Sequence, residues 1–236
     1  MSSHLGSVTF DALDPGKLAD FWGGVLGREV RDDDDGSYDV SSTQAGQLGL
    51  RFVATVEPKT GPNRHHLHLT STSEDDFQAT IDRVVALGGA HIDVGQLPDE
   101  PHVVLADPEG NELCVIPPDN NFLAGTGQLG ELSCDGSRAV GLFWSEALGW
   151  PLVWDQDEET AIQSPQGGTK VSWGGPPRLA LHGSRDRLRL DLIADDPEAE
   201  AERLVGLGAT RLDERQFQDP DGNDFGIRPA AGARRP

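Results

Sequence analysis

Lysine is nearly missing from this chain: Lys17, Lys59 and Lys170 are the only three in 236 residues. Even with arginine, basic side chains number 19 against 40 acidic ones, a formal charge of -21. A phosphate backbone needs a basic footprint, so nucleic acid is excluded as a partner. An anionic membrane surface is excluded for the same reason. No apolar run approaches 18 residues, which rules out a membrane-spanning helix. The first residues carry neither the basic nor the apolar part of a leader. Cysteine occurs twice, at Cys114 and Cys134, without the spacing of a metal finger or a disulfide framework. The expectation is a reduced, cytoplasmic protein.

What is present is glycine (29) and proline (16), the composition of many short elements and turns. It is also repetition. Phe21-Trp22 and Leu26-Gly27 return as Phe143-Trp144 and Leu148-Gly149, 122 positions on. Asp75-Asp76 followed by Leu87-Gly88 returns as Asp195-Asp196 followed by Leu207-Gly208. The turn Asp107-Pro108-Glu109-Gly110-Asn111 returns as Asp219-Pro220-Asp221-Gly222-Asn223. Three blocks repeated in one order mean two homologous halves. They divide the chain into a domain over 1–118, a linker over 119–127, a second domain over 128–229 and a frayed tail over 230–236.

Each half reads as strand, helix and three strands, performed twice. A strand begins at 7–10, and Asp14 caps a helix that Pro15 opens and Gly27 ends. Leu18, Phe21, Trp22 and Val25 form its apolar stripe. Strands follow near 37–41 and 48–56, and the alternation over 66–70 predicts another. Ser73 or Asp75 caps a second helix with Phe77, Ile81, Val84 and Val85 inward, stopped by Gly88 and Gly89. Strands over 91–94, 102–106 and 112–116 close the half.

This arrangement resembles the vicinal oxygen chelate superfamily, which includes glyoxalase I, extradiol dioxygenases and bleomycin-resistance proteins, and within it the tandem glyoxalase-like group of actinomycetes. The resemblance implies an α+β fold: two tandem domains, each a pair of βαβββ modules forming a curled mixed sheet around a cup. Whether modules pair within a half or are exchanged between halves is open. It also implies a divalent metal held by His, Gln and Glu side chains. Matched position by position, that ligand set is broken. The first half has Ser7, Arg51, His66 and Cys114 at the four places; the second has positions near Leu129, Arg189 and Gly226. A guanidinium repels a cation.

His66 and His68 share one strand face, directed into the cup by the resemblance, as do Glu112 and Cys114, with His102 on the strand before. His66, His68, Glu112 and Cys114 could rebuild a metal site, or be ordinary strand residues. Cys114 beside His66 or His68 could be an activated nucleophile, or an inert buried thiol. Arg189 and Asp191 replace the His pair in the second half, as a ligand clamp or an internal ion pair. Trp154 and Trp173 could line a pocket for a planar ligand or sit in the core, where Trp22 and Trp144 are expected. The run Asp32-Asp33-Asp34-Asp35 lacks the alternation of a calcium loop and reads as solvated. The expected function is binding of a small, aromatic organic molecule without a metal or other cofactor, by a monomer or homodimer. The alternative is a lyase, isomerase or dioxygenase working from the first half.

Overall fold

A computed structural model gives the structure and describes residues 3–175, 180 and 186–230. From 231 on, the expected tail lies outside the described residues. Four modules follow one another. The first has β1 (Ser3–Ala12), α1 (Pro15–Leu26), β2 (Val30–Asp32), β3 (Tyr38–Val40) and β4 (Leu50–Ala54); the second has β5 (His65–Thr70), α2 (Glu74–Ala86), β6 (Ala90–His91), β7 (Val103–Ala106) and β8 (Glu112–Ile116). The third has β9 (Leu129–Cys134), α3 (Arg138–Leu148), β10 (Leu152–Gln156), β11 (Glu159–Gln163) and β12 (Lys170–Trp173); the fourth has β13 (Leu188–Ala194), α4 (Pro197–Leu207), β14 (Thr210–Arg211), β15 (Gln216–Gln218) and β16 (Asp224–Pro229).

Local chemistry sets the helix ends. The Asp14 carboxylate accepts from the Lys17 N–H, and Gly27 closes α1 in the left-handed conformation at φ 62°. The Ser73 hydroxyl caps α2 in the same way. Val85, expected inward, is 43% exposed, and Thr80 is buried with Ile81 and Val84 instead. The inward stripe of 3.6-residue turns runs through 77, 80, 81 and 84 and leaves 85 on its solvent edge. The strand expected over 91–94 shortens to β6, and His102 lies just before β7.

Among the described residues, sixteen strands form two mixed, open sheets of eight. The first runs β14-β15-β16-β13-β1-β4-β3-β2 and the second β10-β11-β12-β9-β5-β8-β7-β6. The exchanged pairing is the one adopted: the first module joins the fourth, and the second joins the third. Antiparallel β1 and β13 make one seam, setting Ser7 opposite Asp191 and Thr9 opposite Arg189. Antiparallel β5 and β9 make the other, setting His66 opposite Ser133 and His68 opposite Glu131. In each seam the polar positions of one strand meet polar partners on the other, a cross-strand complementarity that favours this pairing.

Opposite each polar face lies the core. Val8, Phe10, Phe52, Leu67, Leu132, Trp173, Leu190 and Phe225 pack with Trp22, Trp144 and the other apolar helix residues in one continuous cluster drawn from all four modules. Two bonds, one in each half, tie the sheets together. Trp22 Nε1 donates to Asp107 Oδ2 at 3.2 Å, and Trp144 Nε1 to Asp219 Oδ2 at 3.3 Å. Both aspartates also collect the N–H groups of their own turn. The Phe-Trp helix and the Asp-Pro turn therefore recur together because each buries the other's polar atom.

Candidate functional site

The two polar faces have become different things. On the first sheet the charges are spent on one another. Arg51 reaches Asp33 at 2.7 Å, Asp35 at 2.8 Å and Asp39 at 3.0 Å. Arg189 meets Asp11 at 2.7 Å and Asp191 at 3.7 Å, and Arg228 approaches Asp191 at 3.4 Å. Thr9 donates to Asp191 at 2.6 Å, and Arg228 donates to Ser7 at 3.1 Å. Buried guanidiniums held this way neutralise carboxylates that would otherwise be costly in the interior. Arg189 and Asp191 thus make an internal ion-pair network. The acidic run also departs from the solvated reading: Asp33 and Asp35 fold back to cover Arg51.

The second sheet keeps open space. A cavity of about 310 Å³ is bounded by His68, Glu131, Ser133, Ser172, Phe122 and Trp154, among others. Alternation on β5 sends His65, Leu67 and Leu69 into the core and leaves His66, His68 and Thr70 on the polar face. His68 Nδ1 lies 2.7 Å from Glu131 Oε2, and the Ser172 hydroxyl donates to Glu131 Oε1 at 2.5 Å. Burial opposes the charge on His68, but hydrogen bonds to Cys114 and Glu131 outweigh it and push the imidazole up to about 10. Burial likewise opposes Glu131, yet His68, Ser172 and Lys170 hold it below the usual carboxylate range. His66 stacks on His68 with ring centroids 6.4 Å apart, and burial followed by the His68 charge lowers its pKa. His102 is lowered for the same two reasons. The surroundings thus favour the charge on His68 and disfavour it on His66 and His102.

The expected site residues are therefore divided between the sheets. Ser7, Arg51, Arg189 and Asp191 belong to the first. His66, His68, Cys114, Trp154 and Trp173 belong to the second, with His102 at its margin. Trp154 is 39% exposed at the cavity, whereas Trp173 is 1% exposed and mostly core. Glu112, whose charge acts on His66, is already engaged: it accepts from Lys59 Nζ at 2.6 Å and the Asn63 N–H at 3.3 Å. Cys114 pairs in register with His68 and packs under Leu123. Both cysteines are free and buried.

Sequence reasoning missed Glu131, Ser133, Ser172 and Phe122. The first three alternate with apolar residues on β9 and β12, a signal visible in the chain, but the superfamily positions drew attention to Leu129 instead. Phe122 lay in what read as a spacer.

The donor sets do not fit a divalent cation as arranged. On the first sheet the superfamily places hold Ser7, Arg51, Arg189 and Gly226, two of them cationic. On the second, His68 and Glu131 bind each other and Glu112 binds Lys59. Among the described residues, no three His, Cys, Asp or Glu side chains converge on one point as a metal would require. No described helix is long and apolar enough to cross a membrane.

A family model described as a glyoxalase-like domain matches residues 7–116 and 131–228. Among solved structures, the fold is shared with glyoxalase I from Zea mays, at 14% identity and a TM-score of 0.66, covering 96% of this chain and 92% of that one. A putative dioxygenase from Bacillus subtilis matches at 14% identity and a TM-score of 0.60, covering 96% and 84%. No curated protein matches the chain in sequence.

Proposed function

The chain belongs to the glyoxalase-like domain family, and we propose that it binds a small, aromatic organic molecule in the cavity of the second sheet, without a metal. One observation carries the reading: the cavity of about 310 Å³ joins an aromatic wall, Phe122 and Trp154, to a polar end made by His68, Glu131, Ser133 and Ser172. Apolar lining with a few fixed polar groups is the ordinary make-up of a small-molecule site. The first sheet, its guanidiniums and carboxylates already paired, serves as scaffold. One chain supplies both sheets, which supports a monomer or simple homodimer. The two unpaired cysteines support a reducing, cytoplasmic setting.

A second reading is favoured by the His68–Glu131 pair. An imidazolium oriented by a buried carboxylate is a general acid, and a ligand developing negative charge beside it could be protonated there, as in an isomerase or lyase. The test is a screen of planar aromatics by tryptophan fluorescence on untagged protein whose metal content is measured by mass spectrometry. Saturable binding, weakened by Trp154→Ala and His68→Gln with no metal needed, supports the first reading. Turnover of a bound compound, abolished by His68→Gln, replaces it with the second. Near-stoichiometric metal lost on His66→Ala overturns the metal-independent site.

A further inference from the structure

The segment joining the two halves is built into the second sheet's cup. Leu123 is buried against Val104, Cys114 and Ile116. Its backbone is pinned from both sides: its N–H donates to Asn120 Oδ1 at 3.0 Å, and its carbonyl accepts from Thr126 Oγ1 at 2.7 Å. Farther along, the Thr126 carbonyl accepts from Gln47 Nε2 at 2.5 Å. Phe122, one residue before Leu123, is half-buried, and its ring meets Trp154 edge to face, with centroids 5.9 Å apart and planes at 77°. Lys170 Nζ stands 4.1 Å from the centre of that ring and donates to the Phe122 carbonyl. Lys170 lies on β12 opposite Glu131 on β9, so this hold is anchored in the strands that carry the polar end of the cavity.

We infer that Phe122 and Trp154 form an aromatic jaw over the cavity, that Lys170 latches it, and that the jaw selects a flat aromatic ring over a saturated ring system of the same carbon skeleton. The inference rests on the cavity reading above and names the ligand's shape. An edge-to-face pair presents one ring face and one ring edge, the two surfaces on which a further flat ring gains quadrupole attraction. A saturated ring is thicker and has no such complement. Admitting either ligand separates the two rings, and doing so strains the Lys170 contacts, a cation over an aromatic face and a charged donor on a carbonyl. Association is then slower than a preformed open site allows. The spacer between the repeats has become the selective wall of the working cup.

The matched probes are 2-naphthol and decahydro-2-naphthol, with affinity read by calorimetry on the full chain and the association rate from the fluorescence of the naphthol. The wild type is expected to prefer 2-naphthol by about fivefold to tenfold, the size of one aromatic contact. Phe122→Leu, which keeps an apolar side chain on the linker, is expected to reduce that preference below about twofold. Lys170→Met keeps the stem and removes the charge, and is expected to speed 2-naphthol association by about fivefold. Thermal unfolding confirms that both variants are folded, and Trp154→Leu gives a second route to lost preference should Phe122→Leu be unstable. Equal affinity for the two alcohols overturns the jaw and leaves the cavity reading standing. An unchanged association rate in Lys170→Met overturns the latch. Binding of neither alcohol, nor of any planar aromatic in the wider screen, overturns the cavity reading and the jaw with it.

Discussion

Two sheets built from the same module have solved the problem of a polar concave face in opposite ways. The first filled it with its own charges: Arg51 and Arg189 each bind aspartates, and the backbone of the β2–β3 turn folds over to bring Asp33 and Asp35 to Arg51. The second paired one imidazolium with one carboxylate, left hydroxyls and aromatic faces around them, and kept a cavity. A face whose charges satisfy one another can be scaffold, and it relieves the other of that duty. This division predicts that damage to the first face is paid in stability, and damage to the second in ligand binding.

The largest effect follows from the first face. Arg189→Met removes the guanidinium shared by Asp11 and Asp191, both nearly inaccessible to water. Breaking a buried ion pair from one side costs about 3–5 kcal/mol, to be read from urea unfolding. Ser172→Ala on the second face removes one hydroxyl from Glu131, whose His68 bond persists, and is expected to cost about 1 kcal/mol. If the two variants lose the same stability, the faces do not differ in the way described.

Next in size are the bonds that tie the sheets. Trp22→Phe and Trp144→Phe each remove an indole N–H from a buried aspartate, at about 1–3 kcal/mol. Because the geometry is repeated to within 0.1 Å in the two halves, the two losses should agree closely. A cost confined to one half would show that the repeat is decorative on the other side.

The third prediction sets two histidines of one strand against each other. His68 has its pKa raised by folding, from 6.5 to about 10, so its pair with Glu131 stabilises fully below pH 6.5 and fades as pH rises toward about 10. His65, three positions earlier on the core face, is driven down to about 3 by burial. It costs nothing above pH 6.5. As pH falls from 6.5 toward 3, only the unfolded chain takes up that proton, and the fold is progressively penalised. A nitrogen-15 imidazole titration should find His68 still charged at pH 8 and His65 still neutral at pH 5. A His68 midpoint near 6.5 would remove the charged polar end from the cavity.

Much of this was legible in the chain. Helix caps at Asp14, Ser73 and Gly27 act within a few residues, and local chemistry is what a sequence states most directly. The repeat disclosed four modules because each had to rebuild the same helix and turn. The pairing of those modules was not legible, since it depends on which polar strand faces which, 63 residues apart at His68 and Glu131 and 182 apart at Thr9 and Asp191. The site divided along the same line. That His66 and His68 share one strand face, and that Arg189 and Asp191 share another, was readable from strand alternation, but Glu131 was missed because its significance lies in being opposite His68. Glu112 looked equivalent to Cys114 on its strand, yet Lys59 reaches it from another loop. Phe122 was hidden by its place in a segment of linker composition, where an aromatic ring is the discordant residue.

The smallest effect tests the loop that closes the first face. Asp34 and Asp35 are neighbours in one acidic run and both exposed. Only Asp35 reaches Arg51, at 2.8 Å, with its side chain 66% exposed. Its carboxyl is held below the usual range chiefly by the Ser37 hydroxyl, with the Arg51 charge a smaller influence. An exposed pair is largely screened, so Asp35→Asn should cost about 0.5–1 kcal/mol and lose that effect in high salt. Asp34→Asn relieves repulsion within the run and should be neutral or slightly stabilising, within about 0.5 kcal/mol. The difference between two such similar substitutions separates a loop that is merely solvated from one that serves as the cover of a charged face.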